Sequence, residues 1–233
     1  MRLSNVSFAY RRRQPSVLRE VTVTLDRGDM VEVAGVNGAG KSTLLRLLAG
    51  VTRPVSGTIT GRPPVVGFAP DRLPIAQPFT VAAYLRHMAR VRGGASWKPW
   101  IERLGAEHLL GLRLRELSKG SAHKVGLTQA LMADPGLLIL DEPFAGLDAD
   151  TRSVLPSILG ELASQGTIVV VSDHQGGLRD LSPIRQWSVI DGRVKESTVA
   201  SRRAVVRVSL PYDELAGFLA SMEASGYAAE EVA

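Results

Sequence analysis

Apolar and polar positions change period several times along the chain, and each change marks an element. Val21-Thr22-Val23-Thr24-Leu25 alternates and then stops at Asp26-Arg27-Gly28-Asp29, the pattern of a half-buried strand entering a turn, so the first 34 residues read as short strands and turns. Met30-Val31-Glu32-Val33-Ala34 also has strand character. Thr43 to Ala49 then sets leucines at helical spacing before Gly50, a C-terminal stop. Thr58-Ile59-Thr60 and Val65 to Ala69 are further predicted strands, separated by the breaker Gly61-Arg62-Pro63-Pro64. From Thr80 to Leu131 the period becomes helical, with Val81, Tyr84, Leu85 and Met88 on one face and Gly93-Gly94 and Gly111 as joints. Beyond Asp134-Pro135 the unbroken apolar runs Leu137 to Leu140 and Thr167 to Val171 flank a helix-like stretch over residues 150–164. That is a strand-helix-strand unit of a parallel sheet buried on both faces. In the tail, Ala204 to Leu210 reads as a strand, and Leu215, Phe218, Leu219 and Met222 line a helix face between Asp213 and Gly226.

Composition narrows the class. The 233 residues, 45% hydrophobic and 22% charged, can bury a single-domain core. The apolar runs are strand-sized, far short of the roughly 20 residues that span a bilayer. Met1-Arg2-Leu3-Ser4-Asn5 lacks an apolar h-region, so export by a signal peptide is not expected and a cytoplasmic site of action is. With no cysteine there are no disulfides and no thiolate metal sites. A net charge of +5 raises the question of an anionic partner. The charge lies in short clusters such as Arg11-Arg12-Arg13 and Arg202-Arg203 without interleaved aromatics, the pattern of solvated surface; nucleic acid is not the expected partner.

Two motifs carry chemistry. Gly35-Val36-Asn37-Gly38-Ala39-Gly40-Lys41-Ser42-Thr43 matches the phosphate-binding loop G-x-x-x-x-G-K-[ST], set between a predicted strand and a predicted helix as the chemistry requires. Its glycines let the backbone curl so that N–H groups and the helix N-terminus point at phosphate oxygens. Lys41 neutralises β/γ-phosphate charge, and the Ser42 hydroxyl is placed to hold a nucleotide-bound Mg²⁺. The chain is therefore expected to bind a nucleoside triphosphate. The second motif, Leu137 to Leu140 running into Asp141-Glu142, puts two acids at the carboxyl end of a buried parallel strand, the edge where open α/β sheets bind ligands. Asp141 suits Mg²⁺ or its water shell, and Glu142 suits accepting a proton from the water that attacks the γ-phosphate.

With these residues the chain resembles an ATP-binding cassette (ABC) ATPase, the nucleotide-binding subunit of a membrane transporter, over residues 1 to about 195. Leu117-Ser118-Lys119-Gly120-Ser121 stands where the family has its signature L-S-G-G-Q, Ala145-Gly146-Leu147-Asp148 resembles the D-loop, and Val171-Ser172-Asp173-His174 resembles the strand ending in the switch histidine. The resemblance implies an α/β P-loop NTPase fold: a RecA-like parallel-sheet core, an antiparallel β layer and an α-helical lobe. It divides the chain into 1–70 and 134–195 as the nucleotide-binding core, 71–133 as the helical signature lobe, and 196–233 as a tail of unassigned role. It further implies ATP and Mg²⁺ as cofactors, and a head-to-tail homodimer or heterodimer in which Ser118 and Gly120 reach the γ-phosphate held by the other chain. His174 would touch that phosphate, Asp148 would line the same site, and Tyr10 matches the aromatic that stacks on adenine. The implied partner is an integral membrane permease that holds the ATPase on the inner face of the cell membrane. The implied groove for a permease helix lies near residues 71–100; Trp97 and Trp100 either line it or pack the lobe's own core.

Three positions depart from the family pattern. Asp71 stands after Phe68-Ala69-Pro70 where the family commonly has glutamine, exchanging a neutral amide oxygen for a shorter, charged ligand. Metal contact is expected to survive there, with coupling to the permease retuned. Lys119 replaces the first signature glycine and Ser121 the glutamine. Lys119 either points to solvent or faces nucleotide. These departures resemble variants in two-component exporters, so export is the expected direction. The competing reading is a soluble ABC ATPase acting on nucleic acid or ribosomes; a small-molecule kinase is disfavoured by the signature stretch.

Overall fold

The computed structural model describes residues 1–11, 14–173, 176–178, 181, 183–198 and 217–218. His174, Arg12-Arg13, Arg202-Arg203 and nearly all of the predicted tail elements lie outside the described residues. The chain divides into two compact units, Met1–Val199 and Ala200–Ala233, and the first holds every motif identified above.

Two sheets organise that unit. β1 (Arg2–Phe8), β2 (Leu18–Thr24) and β4 (Ser56–Thr60) form an antiparallel sheet in the order β2-β1-β4. The six-stranded sheet runs β5 (Val66–Ala69), β6 (Leu137–Asp141), β7 (Ile168–Ser172), β3 (Met30–Ala34), β8 (Arg185–Ile190), β9 (Arg193–Thr198). All neighbours in it are parallel except the β8–β9 hairpin. Because β9 runs on to Thr198, the core extends past residue 195.

Side chains of β6 alternate between two cores, as a two-faced strand must. Leu137 and Ile139 join Leu3, Val6, Leu18 and Val21 of the antiparallel sheet and Leu44, Leu45, Leu47 and Leu48 of α1 (Lys41–Ala49). Leu138 and Leu140 instead meet Leu127 and Leu131 of α4 (Lys119–Leu131) and Leu155, Ile158 and Leu159 of α5 (Ala149–Ser164). A third cluster belongs to the helical segment: Val81, Tyr84 and Leu85 of α2 (Val81–Val91) and Ile101 of α3 (Lys98–Arg103) pack with Leu114, Leu117 and Val125. Thr80 caps α2 by accepting a hydrogen bond from the Ala83 N–H at 3.3 Å.

Trp97 and Trp100 are both half-buried. Trp97 packs on the helical cluster and Trp100 on the α4/α5 core, where the Arg103 guanidinium lies 5.5 Å from its ring. Both rings thus contribute to packing within the chain. α4 is buried on every side from Ala122 to Leu131, and it approaches β5 so closely that a Cβ on Gly67 would lie 2.3 Å from the Ala130 carbonyl oxygen.

Candidate functional site

The phosphate-loop sequence joins β3 to α1. Gly35, Val36, Asn37 and Gly38 are exposed, and Gly38 and Gly40 have φ of 84° and 109°, a left-handed backbone that glycine adopts without penalty. Gly40 occupies the N-cap of α1 with no side-chain cap, and the first turn of the helix contains no acid. The positive end of that helix is thus presented without an internal counter-charge, which fits an anionic ligand. Lys41 is buried, and its Nζ donates to the Gly35 carbonyl at 2.7 Å, which holds it against the loop. Ala39 and Ser42 are half-buried beside it.

Tyr10 lies beside the same helix. Its hydroxyl is 2.9 Å from Thr43 Oγ1 and accepts from Arg46 at 3.4 Å, while the ring meets Phe8 edge-on at 5.1 Å. The ring remains 57% exposed, enough for a planar partner. Thr43 itself is buried, with its hydroxyl committed to Tyr10.

At the carboxyl end of β6, Asp141 stands in register with Ser172 of the neighbouring β7. The Ser172 hydroxyl donates to Asp141 Oδ1 at 2.7 Å and accepts from the Glu142 N–H at 3.0 Å, and the Ser172 carbonyl accepts from that same N–H at 3.1 Å. Glu142 has φ of +53°, a conformation that costs a non-glycine residue energy and persists only where its surroundings fix it. Ser172 supplies that fixation. In the sequence Ser172 stands out only as a neighbour of His174; the signal for its role is its place at the end of a parallel strand beside the acids.

Ser118 caps α4, accepting from the Ser121 N–H at 3.2 Å. Gly120 faces the 145–148 loop: a Cβ there would lie 2.0 Å from the Gly146 carbonyl oxygen. The Asp148 carboxylate has partners within its own chain. Its Oδ1 caps α5 by accepting from the Thr151 N–H at 2.9 Å and from its hydroxyl at 2.8 Å. Its Oδ2 lies 2.6 Å from Nζ of Lys124, a buried lysine on α4. The Lys124 bond, then the two from Thr151, hold the Asp148 carboxyl well below the usual carboxylate range. Lys124 was not legible as a functional partner, because nothing local in the sequence joins it to Asp148.

A stability prediction follows from the sign of that shift. A carboxylate with a depressed folded-state pKa contributes stability above the ordinary carboxylate pKa, and that contribution is lost as pH falls toward the folded value. Asp148→Ala should cost about 1–3 kcal/mol at pH 7, from the lost cap and the stranded Lys124 ammonium. Asp148→Asn keeps a capping oxygen and should cost less. Urea midpoints should show the gap between wild type and Asp148→Asn narrowing as pH drops below about 4, since a protonated carboxyl no longer pairs with Lys124.

Asp71, just beyond β5, turns toward α4. Its Oδ1 is 3.3 Å from Lys119 Nζ, and its carbonyl accepts from His123 Nε2 at 2.6 Å. Lys119 is 59% exposed, as the solvent reading expects, and is at the same time paired with Asp71. Among the described residues, no group of three or more His, Cys, Asp or Glu could hold a metal by itself. A Mg²⁺ carried by phosphate needs only one or two protein ligands, and Ser42 in the first turn of α1 with buried Asp141 suits that demand.

A glycine-rich loop entering an uncapped helix from a parallel strand, with acids ending another strand of that sheet one strand removed from it, defines a P-loop NTPase. The comparisons narrow the class. Residues 18–145 match the family model described as "ABC transporter", and the chain belongs to that family. It is 36% identical over 162 residues to the zinc import ATP-binding protein ZnuC of Paramagnetospirillum magneticum, covering 68% of this chain and 62% of that protein. With the ZnuC of Yersinia enterocolitica it is 35% identical over 174 residues, covering 73% of this chain and 67% of the relative. The chain thus spans about two thirds of the length of these relatives, and less than that of the first. A solved "ATP binding subunit of ABC transporter" superposes with a TM-score of 0.71 at 26% identity, covering 85% of this chain and 89% of that one. A bacterial ABC transporter cassette solved as a dimer shares the fold, with a TM-score of 0.73 at 20% identity over 86% of this chain and 99% of that one.

Proposed function

We propose that this chain is the ATP-hydrolysing subunit of an ABC transporter and works by pairing with a second nucleotide-binding subunit and a membrane permease. The observation that carries this reading is the conjunction of the Gly35–Thr43 loop on uncapped α1 with Asp141-Glu142 held by Ser172 at the end of β6. Tyr10 offers an exposed ring beside α1 for the adenine. The loop N–H groups, the N-terminus of α1 and Lys41 receive the phosphates. Mg²⁺, when bound through Ser42 and Asp141, supplies neutralisation of phosphate charge. The Glu142 carboxylate accepts the proton of the attacking water as the water oxygen bonds to the γ-phosphorus and the bond from that phosphorus to the β-phosphate oxygen breaks, with ADP as leaving group. Ser118 and Gly120, at the start of α4, serve the nucleotide of the paired subunit, and His174 serves its own. No helix among the described residues is long and apolar enough to cross a membrane, which fits attachment to the inner face through the permease.

Export is expected from Asp71, Lys119 and Ser121, but the two relatives compared above are named for zinc import. The mutual pairing of Asp71 with Lys119 gives those two departures a local cause. We therefore read the direction as import.

Capture tests the whole reading. The Glu142→Gln protein, loaded with MgATP in a detergent extract of its own cells, should bring down an integral membrane protein in stoichiometric amount. Ribosomes or nucleic acid in its place, with steep salt dependence, would overturn the transport reading in favour of the soluble alternative.

A further inference from the structure

Two of the three positions at which this chain departs from its family's pattern are partners in space. Asp71 Oδ1 lies 3.3 Å from Lys119 Nζ and 3.9 Å from His123 Nε2, while the Asp71 carbonyl accepts from that same nitrogen at 2.6 Å. His123 is 6% exposed, so Asp71 is held through a buried ring as well as through a surface pair. Asp71 comes from the loop two residues past β5 and the other two from the first turns of α4.

Charge explains why they belong together. Lys119 is the first residue of α4, where the positive end of the helix disfavours a cation, and the first turn contains no acid. Asp71 supplies that missing negative charge from outside the helix, next to the ammonium that most needs it. A neutral residue at 71 would leave Lys119 facing the helix dipole alone; a neutral residue at 119 would leave the carboxylate near His123 without its lysine.

The geometry points to Asp71 as a positioning residue for the signature segment rather than a metal ligand: with Lys119 and His123 it latches the end of β5 to the start of α4, fixing where Ser118 and Gly120 stand. The role of those two residues in hydrolysis rests on the function proposed above. The latch itself does not.

The test is a double-mutant cycle on the full-length chain with Asp71→Asn, Lys119→Gln and the pair, plus Lys119→Arg. Each single neutral variant should lower kcat for ATP about three- to fivefold, the ceiling for a half-exposed ion pair, and leave KM unchanged. The double variant should be no worse than either single, and Lys119→Arg should behave as wild type. In a Glu142→Gln background, Mn²⁺ affinity of the ATP complex, read by electron paramagnetic resonance, should be the same with and without Asp71→Asn. Amide exchange over residues 117–124 should rise equally in both singles and no further in the double. Additive effects, weakened Mn²⁺ binding in Asp71→Asn alone, or unchanged exchange in either single would each overturn the latch. A wild-type chain that does not hydrolyse ATP would instead fail the proposed function, while the exchange experiment still decides the latch.

Discussion

Glu142→Gln should lower ATP turnover by about 10²–10⁴-fold while leaving nucleotide affinity near the wild-type value, because the substitution removes a proton acceptor and almost no volume. The backbone around it argues that the loss will be chemical. Glu142 sits at φ +53°, and its N–H is held by both the hydroxyl and the carbonyl of Ser172. Glutamine keeps that N–H, so the strained turn after β6 should persist and Asp141 should keep its bond from Ser172. Single-turnover hydrolysis with excess enzyme, alongside calorimetric ATP binding, separates the outcomes. Hydrolysis within a few-fold of wild type would remove Glu142 from the role of base. Loss of binding together with hydrolysis would mean that the turn had collapsed, and a lowered melting temperature would accompany it.

The parts of this site that could be read from sequence are those written in consecutive residues. The Gly35–Thr43 loop between a strand and a helix and the acids that end β6 are local patterns written in consecutive residues. The apolar runs of β6 and β7 were legible for a similar reason, since a strand buried on both faces has no polar positions to blur it. β1 was harder. Its pairing is interrupted between Leu3 and Val6 and between Val6 and Phe8, with Asn5 at φ 49°, so its alternation never settles into a clean period of two. α4 showed no apolar face to find, because its flanks are covered by both the sheet and the helical cluster, and its polar residues are buried with partners. Those partners were invisible in the chain: Lys124 with Asp148, His123 and Lys119 with Asp71, Ser172 with Asp141 and Glu142. Each joins segments far apart in sequence, and only the packing of α4 against β5 and α5, or the pairing of β6 with β7, brings them together.

Gly120→Ala should be the most damaging small substitution in the signature segment, lowering ATP turnover by roughly 10²-fold, the scale on which a misplacement of about 1 Å disables a site. The added Cβ would lie 2.0 Å from the Gly146 carbonyl oxygen and 3.0 Å from its carbon. Both are backbone atoms, so no rotamer change relieves the clash; either α4 or the 145–148 loop must move. Neither moves easily. Lys124, one turn further along α4, is bonded to Asp148 two residues beyond Gly146, and Asp148 in turn caps α5. The segment is clamped just where it would need to open, and overpacking of this kind should also cost about 1–3 kcal/mol of stability. Gly111→Ala is the matched control, since a Cβ at Gly111 meets nothing within 4 Å and its φ is not positive. Measured together, Gly111→Ala should keep both kcat and the urea midpoint within error, whereas Gly120→Ala loses both. If Gly120→Ala were equally silent, α4 and the 145–148 loop would have to separate freely. The clamp through Lys124 and Asp148 would then be too weak to fix the position of Ser118.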